Sequence, residues 1–217
     1  MDIPANLLPA SSLWIAALVY SALLATAALT APWNKLLDKE GSNIYFGAIA
    51  FIAVLWILRA GIEPGHNYHL LGATALCLMF GWQFALIAVS LVLVITTWQG
   101  PAGWETFAVN ALVMGAVPVL FTRIMLYACQ RWLPHNFFIY VFINAFLTGA
   151  LSMLLCGYAA SAVLAMANNM PASSYLQVIP LLMFGEAFLN GMLMILLVAY
   201  KPHWVATFHD HWYLDGK

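Results

Sequence analysis

Long apolar runs separated by short polar breaks leave this chain few ways to fold. They cover Pro9–Ala31, Ile44–Leu58, Trp82–Trp98, Glu105–Cys129, Phe137–Met166 and Tyr175–Tyr200. Most reach the roughly 20 residues that carry a helix across a bilayer. Only 7% of the 217 residues are charged and 65% are hydrophobic, whereas soluble domains carry about 25% charged residues. So few charges cannot clothe a chain of this length in water, so lipid must be the solvent for most of it. The expectation is an all-α, polytopic membrane helical bundle. A formal net charge of −1 argues against a nucleic-acid partner.

The stretch RAGIEPGHNYHLLGATALCLMFG, Arg59 to Gly81, lies between the second and third of these runs. It holds His66 and His69 and packs in Gly61, Pro64, Gly65 and Gly72. His69–Gly81 would be about 20 Å long as a helix at 1.5 Å per residue, shorter than the ~30 Å hydrocarbon core. It predicts a short or broken membrane segment whose irregular backbone is covered by protein or lines a cavity. Counted as a crossing, it makes about seven spans in one transmembrane domain, residues 1–200, with a short tail at 201–217. APWNKLLDKEGSN, after the first run, reads as a loop. Kinks are expected at Gly115/Pro118 and at Pro180, because proline removes a helix hydrogen bond.

Basic residues set the orientation. With seven spans and the N-terminus outside, Lys35, Lys39, Arg123, Arg131, Lys201 and Lys217 lie on or towards the cytoplasmic side, and only Arg59 lies towards the outside. The N-terminus and the His66/His69 stretch then share the outer face. No Lys or Arg precedes the first run and Asp2 is acidic, so that run is expected to stay as a membrane helix rather than act as a signal peptide.

Few side chains offer chemistry. His66 and His69, three apart, can face one way on a helix or turn, and imidazole suits transition metals; capping or backbone bonding is the alternative. Glu186 is a carboxylate inside a spanning run and should face the protein interior with a partner. Asn190, four residues on, shares its face. Asn110 and Asn144 are intramembrane amides that read as interhelical contacts. Cys77, Cys129 and Cys156 lie far apart in apolar runs, without a metal or disulfide pattern. GATALCLMFG and GALSMLLCGYAASA permit close helix packing. Most of the nine tryptophans, among them Trp33, Trp82, Trp98, Trp104, Trp132, Trp204 and Trp212, lie near run ends and fit an interfacial belt. The tail carries His203, His209, Asp210 and His211, on the side away from His69 in this topology. There is no nucleophile constellation or nucleotide-binding loop, so no enzymatic activity is expected.

Several segments in order carry a resemblance. The opening MDIPANLLP resembles the N-terminus of the cobalt/nickel substrate-binding membrane subunits of energy-coupling factor transporters, the CbiM/NikM family, which typically open Met-His-Ile. GHNYHLLGA resembles that family's Gly-x-x-x-His-x-x-Gly motif, through Gly65, His69 and Gly72. AVNALVMGAVP is similar to its Asn-Ala motif, through Asn110, Ala111, Met114 and Pro118. IPLLMFGEAFLNG resembles its late Glu-bearing helix, aligning Glu186.

The resemblance implies a divalent transition-metal site, for Co, Ni, Zn or another ion, built from Met1, residue 2 and His69. Residue 2 is Asp2 here where the family has His, and His66 is the candidate replacement imidazole. Glu186, Asn190 and Asn110 would support the path or the bundle. The implied protein is a multi-pass subunit of a bacterial inner membrane, working with a membrane coupling subunit and cytoplasmic ATPases. The alternative, which Asp2 favours, is a non-transporting metal-binding or structural subunit of a larger membrane complex.

Overall fold

Among the described residues the apolar runs form six long helices, with a short seventh buried among them. The computed structural model describes residues 2–4, 6–58, 60–63, 66–99, 103–166, 172–209 and 213, with backbone only at 60–63, 66, 67 and 172–175. The long helices are α1 (Ala10–Thr30), α2 (Lys39–Ile57), α4 (Trp82–Gln99), α5 (Trp104–Trp132), α6 (Phe137–Met166) and α7 (Ala172–Tyr200). The short one is α3, Ala73–Phe80.

Burial runs opposite to that of a soluble protein. Large apolar side chains such as Leu18, Leu29, Leu181 and Phe184 face outward, as lipid-facing positions must. The helix α1 buries only Ala16, Tyr20 and Ala27; Tyr20 reaches the Ser90 hydroxyl on α4. By contrast, every residue of α3 from Ala73 to Met79 is buried. This rod packs against α4, α5, α6 and α7, and Thr74 bonds both Thr122 and Ser152 on two of them.

The second helix starts earlier than its apolar run. Asp38 accepts the Gly41 N–H at 3.1 Å, a side-chain cap that draws Lys39–Asn43 into α2. The expected loop is therefore confined to the segment between α1 and that cap. The expected break in α5 takes the form of a π-helical stretch, Ala111–Ala116, just ahead of Pro118. A second π stretch, Tyr140–Leu147, interrupts α6 without a proline. The helix α7 runs on through Pro180.

The Arg59–Gly81 stretch is a composite. Strands β1 (Ala60–Glu63) and β2 (His66–Tyr68) pair antiparallel, with Gly61 opposite Asn67 and an irregularity between Gly61 and Glu63. The all-helical expectation did not include this ribbon. Residues 69–72 follow without regular structure, then α3. Gly72 (φ 65°) and Gly81 (φ 87°) adopt the left-handed region at the two ends of α3, where glycine has no Cβ penalty. At the second turn Gln83 Nε2 donates to Thr30 O at the end of α1. The stretch thus reaches the face opposite the N-terminal segment, so it crosses rather than re-enters.

Residues after α7 pack back against the end of α3. Ala206 N donates to Met79 O (2.8 Å), and the Thr207 hydroxyl donates to Leu78 O (2.7 Å). They occupy carbonyls that the last turn of a helix leaves open. Val205, Phe208 and Tyr213 are buried beneath.

Candidate metal site

His69 opens the irregular segment 69–72, and its ring nitrogens have different surroundings. Nδ1 lies 3.2 Å from the Leu70 carbonyl. A carbonyl only accepts, so Nδ1 carries the hydrogen and Nε2 keeps its lone pair. Nε2 is buried without a hydrogen-bond partner. It faces Asp2 Oδ1 at 3.7 Å, too far for a hydrogen bond. The Trp56 ring covers the imidazole, with centroids 4.6 Å apart and planes at 40°.

Asp2 arrives from the far end of the sequence because α5 holds the N-terminal segment. Asn110 grips one peptide from both sides: its Oδ1 accepts the Ile3 N–H at 2.8 Å, and its Nδ2 donates to Ile3 O at 3.2 Å. One turn earlier, Glu105 Oε1 accepts the Asn6 N–H at 2.8 Å. Asn6 sits at φ 64°, a conformation asparagine tolerates better than most residues. Ile3 is fully buried. The segment is therefore held in place along α5, and it delivers Asp2 to His69.

On the other side, α7 holds the start of α3. Glu186 Oε2 accepts the Leu71 N–H and its Oε1 the Gly72 N–H, both at 2.7 Å. Asn190 Nδ2 donates to Glu186 Oε1 (2.9 Å) and to the Glu186 carbonyl (2.6 Å), while its Oδ1 accepts the Ala75 N–H (2.7 Å). Trp56 Nε1 donates to Leu71 O at 3.0 Å. Leu76 N closes on Gly72 O at 3.2 Å. Non-helical backbone inside a membrane protein needs such partners, since lipid offers none. Glu186 and Asn190 sit midway along α7, so α3 is a half-length helix capped deep in the bundle.

Of the residues singled out from sequence, the structure brings Asp2 to His69, and Asn110, Glu186 and Asn190 to the backbone around them. Met1 lies outside the described residues, as do Asp210 and His211. His66 lies in β2 and its side chain is outside the described set. Residues 66–68 are extended rather than helical, so helical i, i+3 spacing is not what relates His66 to His69. Among the described residues no group of three or more His, Cys, Asp or Glu gathers. His203 lies at the opposite face, 3.4 Å from Glu40, and shares nothing with His69. Asn144 is buried with neither amide atom bonded. Trp56 and Glu105 were not singled out. Trp56 is only 1% exposed, and its partner, the Leu71 carbonyl, is a backbone group that no sequence pattern marks. Glu105 has no sequence signal, since its partner is a backbone N–H.

The family described as cobalt uptake substrate-specific transmembrane region matches residues 2–204. The chain belongs to that family. It is thus the substrate-binding membrane subunit of a metal-ion transporter. Two solved structures share the fold of this cobalt-uptake family member. A truncated transition metal transporter superposes with a TM-score of 0.76 at 20% identity, covering 92% of this chain and 99% of that one. A transition metal transporter does so with a TM-score of 0.75 at 20% identity, covering 92% and 93%. No curated protein matches the sequence at a significant level.

Proposed function

We propose that this subunit takes up a divalent transition-metal ion as cargo, held by His69 Nε2 and the Asp2 carboxylate, with the Met1 amine and His66 as the remaining ligands. One observation carries the reading: a buried imidazole lone pair faces a carboxylate oxygen at 3.7 Å with no hydrogen bond between them. An imidazole lone pair and a carboxylate oxygen can both bind a cation, and at 3.7 Å they lie close enough to share one. Metal–nitrogen and metal–oxygen bonds of about 2.1 Å place two ligands of a tetrahedral site roughly 3.4 Å apart. The pair needs only a small movement to close on an ion. A set of oxygen plus imidazole ligands is harder than a set rich in nitrogen, so Zn, Fe or Mn compete with Co and Ni.

The topology supports loading at the outer face of a bacterial inner membrane, with the N-terminus outside. The proposed partners are a membrane coupling subunit and cytoplasmic ATPases, because the chain has no nucleotide-binding loop of its own. Residues 1–200 are one transmembrane domain, and 201–217 lie on the cytoplasmic side. Glu186, Asn190 and Asn110 support the site without touching the ion. Elemental analysis of the purified protein beside His69→Ala and Asp2→Ala tests this. The expected result is metal in the wild type, none in His69→Ala and little in Asp2→Ala. Equal content in all three rejects the site. Metal retained in a purified complex, with no uptake defect on deletion, would favour a non-transporting subunit instead.

A further inference from the structure

We propose that Glu186 and Trp56 are positioning residues for the cargo site: together they grip the Leu71 peptide and so set the direction in which His69 presents Nε2. This rests on the reading of His69 as a ligand. The grip is two-sided. Glu186 Oε2 holds the Leu71 N–H at 2.7 Å, and Trp56 Nε1 holds the Leu71 carbonyl at 3.0 Å. Glu186 Oε1 takes the next N–H, of Gly72, also at 2.7 Å. Leu71 and Glu186 have no exposed surface and Trp56 has 1%, so water cannot substitute for any of these bonds.

The alternative is that Glu186 merely caps α3. Two observations argue for more. First, its oxygens engage Leu71 and Gly72, which precede the helix; the helical N–H of Ala75 is taken by Asn190 instead. The carboxylate therefore acts on the segment that carries His69 rather than on the helix interior. Second, the indole that holds the Leu71 carbonyl also lies against the His69 ring, at 4.6 Å between centroids. One side chain fixes both the peptide and the imidazole plane.

A carboxylate inside a membrane protein is costly. Here it accepts only N–H donors: Leu71, Gly72 and Asn190. Three N–H groups held by one buried side chain, with no water to compete, fix the segment in place, which is what a rigid ligand mount requires. Metal–ligand distances tolerate only about 0.2 Å. Loss of outer-shell support typically weakens metal binding by roughly 10–100-fold.

The test is Co(II) titration of the purified full chain in detergent, following visible absorption, for wild type, Glu186→Gln, Trp56→Phe and His69→Ala. Glutamine keeps the volume but offers one acceptor oxygen; phenylalanine keeps a ring over His69 but has no N–H. Both are expected to bind Co(II) about tenfold or more weakly. Both should also shift the ligand-field bands at saturating metal, a change that a loss of fold stability alone would not produce. His69→Ala is expected to bind none. Wild-type affinity and spectrum in both positioning variants, with His69→Ala inactive, overturn the proposal and leave the site standing. Undiminished binding by His69→Ala, or no binding by the wild type, overturns the site itself and the proposal with it. If Glu186→Gln does not fold, Trp56→Phe decides by the same two outcomes.

Discussion

Asp2 Oδ1 and His69 Nε2 face each other at 3.7 Å in the interior of the bundle, and each is delivered by a backbone clamp rather than by its own packing. Asn110 holds Ile3, beside Asp2, and Glu186 holds Leu71, just beyond His69. Ligand identity at residue 2 should then decide which metal is preferred. Asp2→His replaces a hard oxygen with an imidazole and is expected to tighten Ni(II) relative to Mn(II) by on the order of tenfold. Competitive titration of the two ions measures it; an unchanged ratio would remove residue 2 from the ligand set.

Asn110 should matter to metal binding without touching the ion. Asn110→Ala leaves the Ile3 N–H and carbonyl without their side-chain partners, at a cost of roughly 1–3 kcal/mol for each buried group left unmade. The expected result is a freed N-terminal segment, weaker metal binding and a modest fall in thermal stability. Asn110→Asp keeps an acceptor for the Ile3 N–H but cannot donate to its carbonyl, so it should fall between wild type and alanine. Similar metal affinity in all three proteins would show that the clamp does not position Asp2.

The spans were legible because a bilayer demands long apolar runs, and nothing subtler is needed to see them. The third segment showed its shortness and its glycines, but not its architecture. That depends on partners that are backbone groups: Glu186 caps Leu71 and Gly72, and no pattern in Leu-Leu-Gly marks a site for a carboxylate 114 residues from Gly72. Glu186 and Asn190 read correctly as a buried pair, while what they bind did not. The two π stretches lie in ordinary apolar sequence. Trp56 gave no sign of its role, because its indole N–H bonds a backbone carbonyl 15 residues on. The tail looked polar, yet Val205 and Phe208 are buried because α3 stops short and leaves carbonyls to be covered.

Gly72 should tolerate no side chain. A Cβ there would lie 2.3 Å from Ile52 Cδ1, and the residue sits at φ 65°. Gly72→Ala is expected to be strongly destabilising. Ile52→Val removes the clashing Cδ1 and should restore part of the loss. The left-handed backbone cost of roughly 1–2 kcal/mol would remain. Thermal unfolding of single and double variants in detergent separates the two contributions; no recovery in the double variant would mean that the clash is not the main cost.

Thr207 is where the chain after α7 fastens the inner end of α3. Its hydroxyl donates to Leu78 O at 2.7 Å and lies 2.7 Å from the Tyr140 hydroxyl, while its backbone N–H also reaches Leu78 O at 3.3 Å. Thr207→Val keeps the shape and the backbone bond but leaves the buried Tyr140 hydroxyl without this partner. The expected loss is roughly 1–3 kcal/mol, seen as a lower unfolding temperature. Tyr140→Phe should cost less, because it removes the group that would be stranded, and the double variant should be no worse than Thr207→Val alone. Because Thr207 grips α3 at Leu78, at the end of the helix away from His69, metal affinity should stay at the wild-type value in all three. A fall in affinity that tracks the loss of stability would instead make α3 a rigid link between the two faces, with the cargo site sensitive to the fastening at its far end.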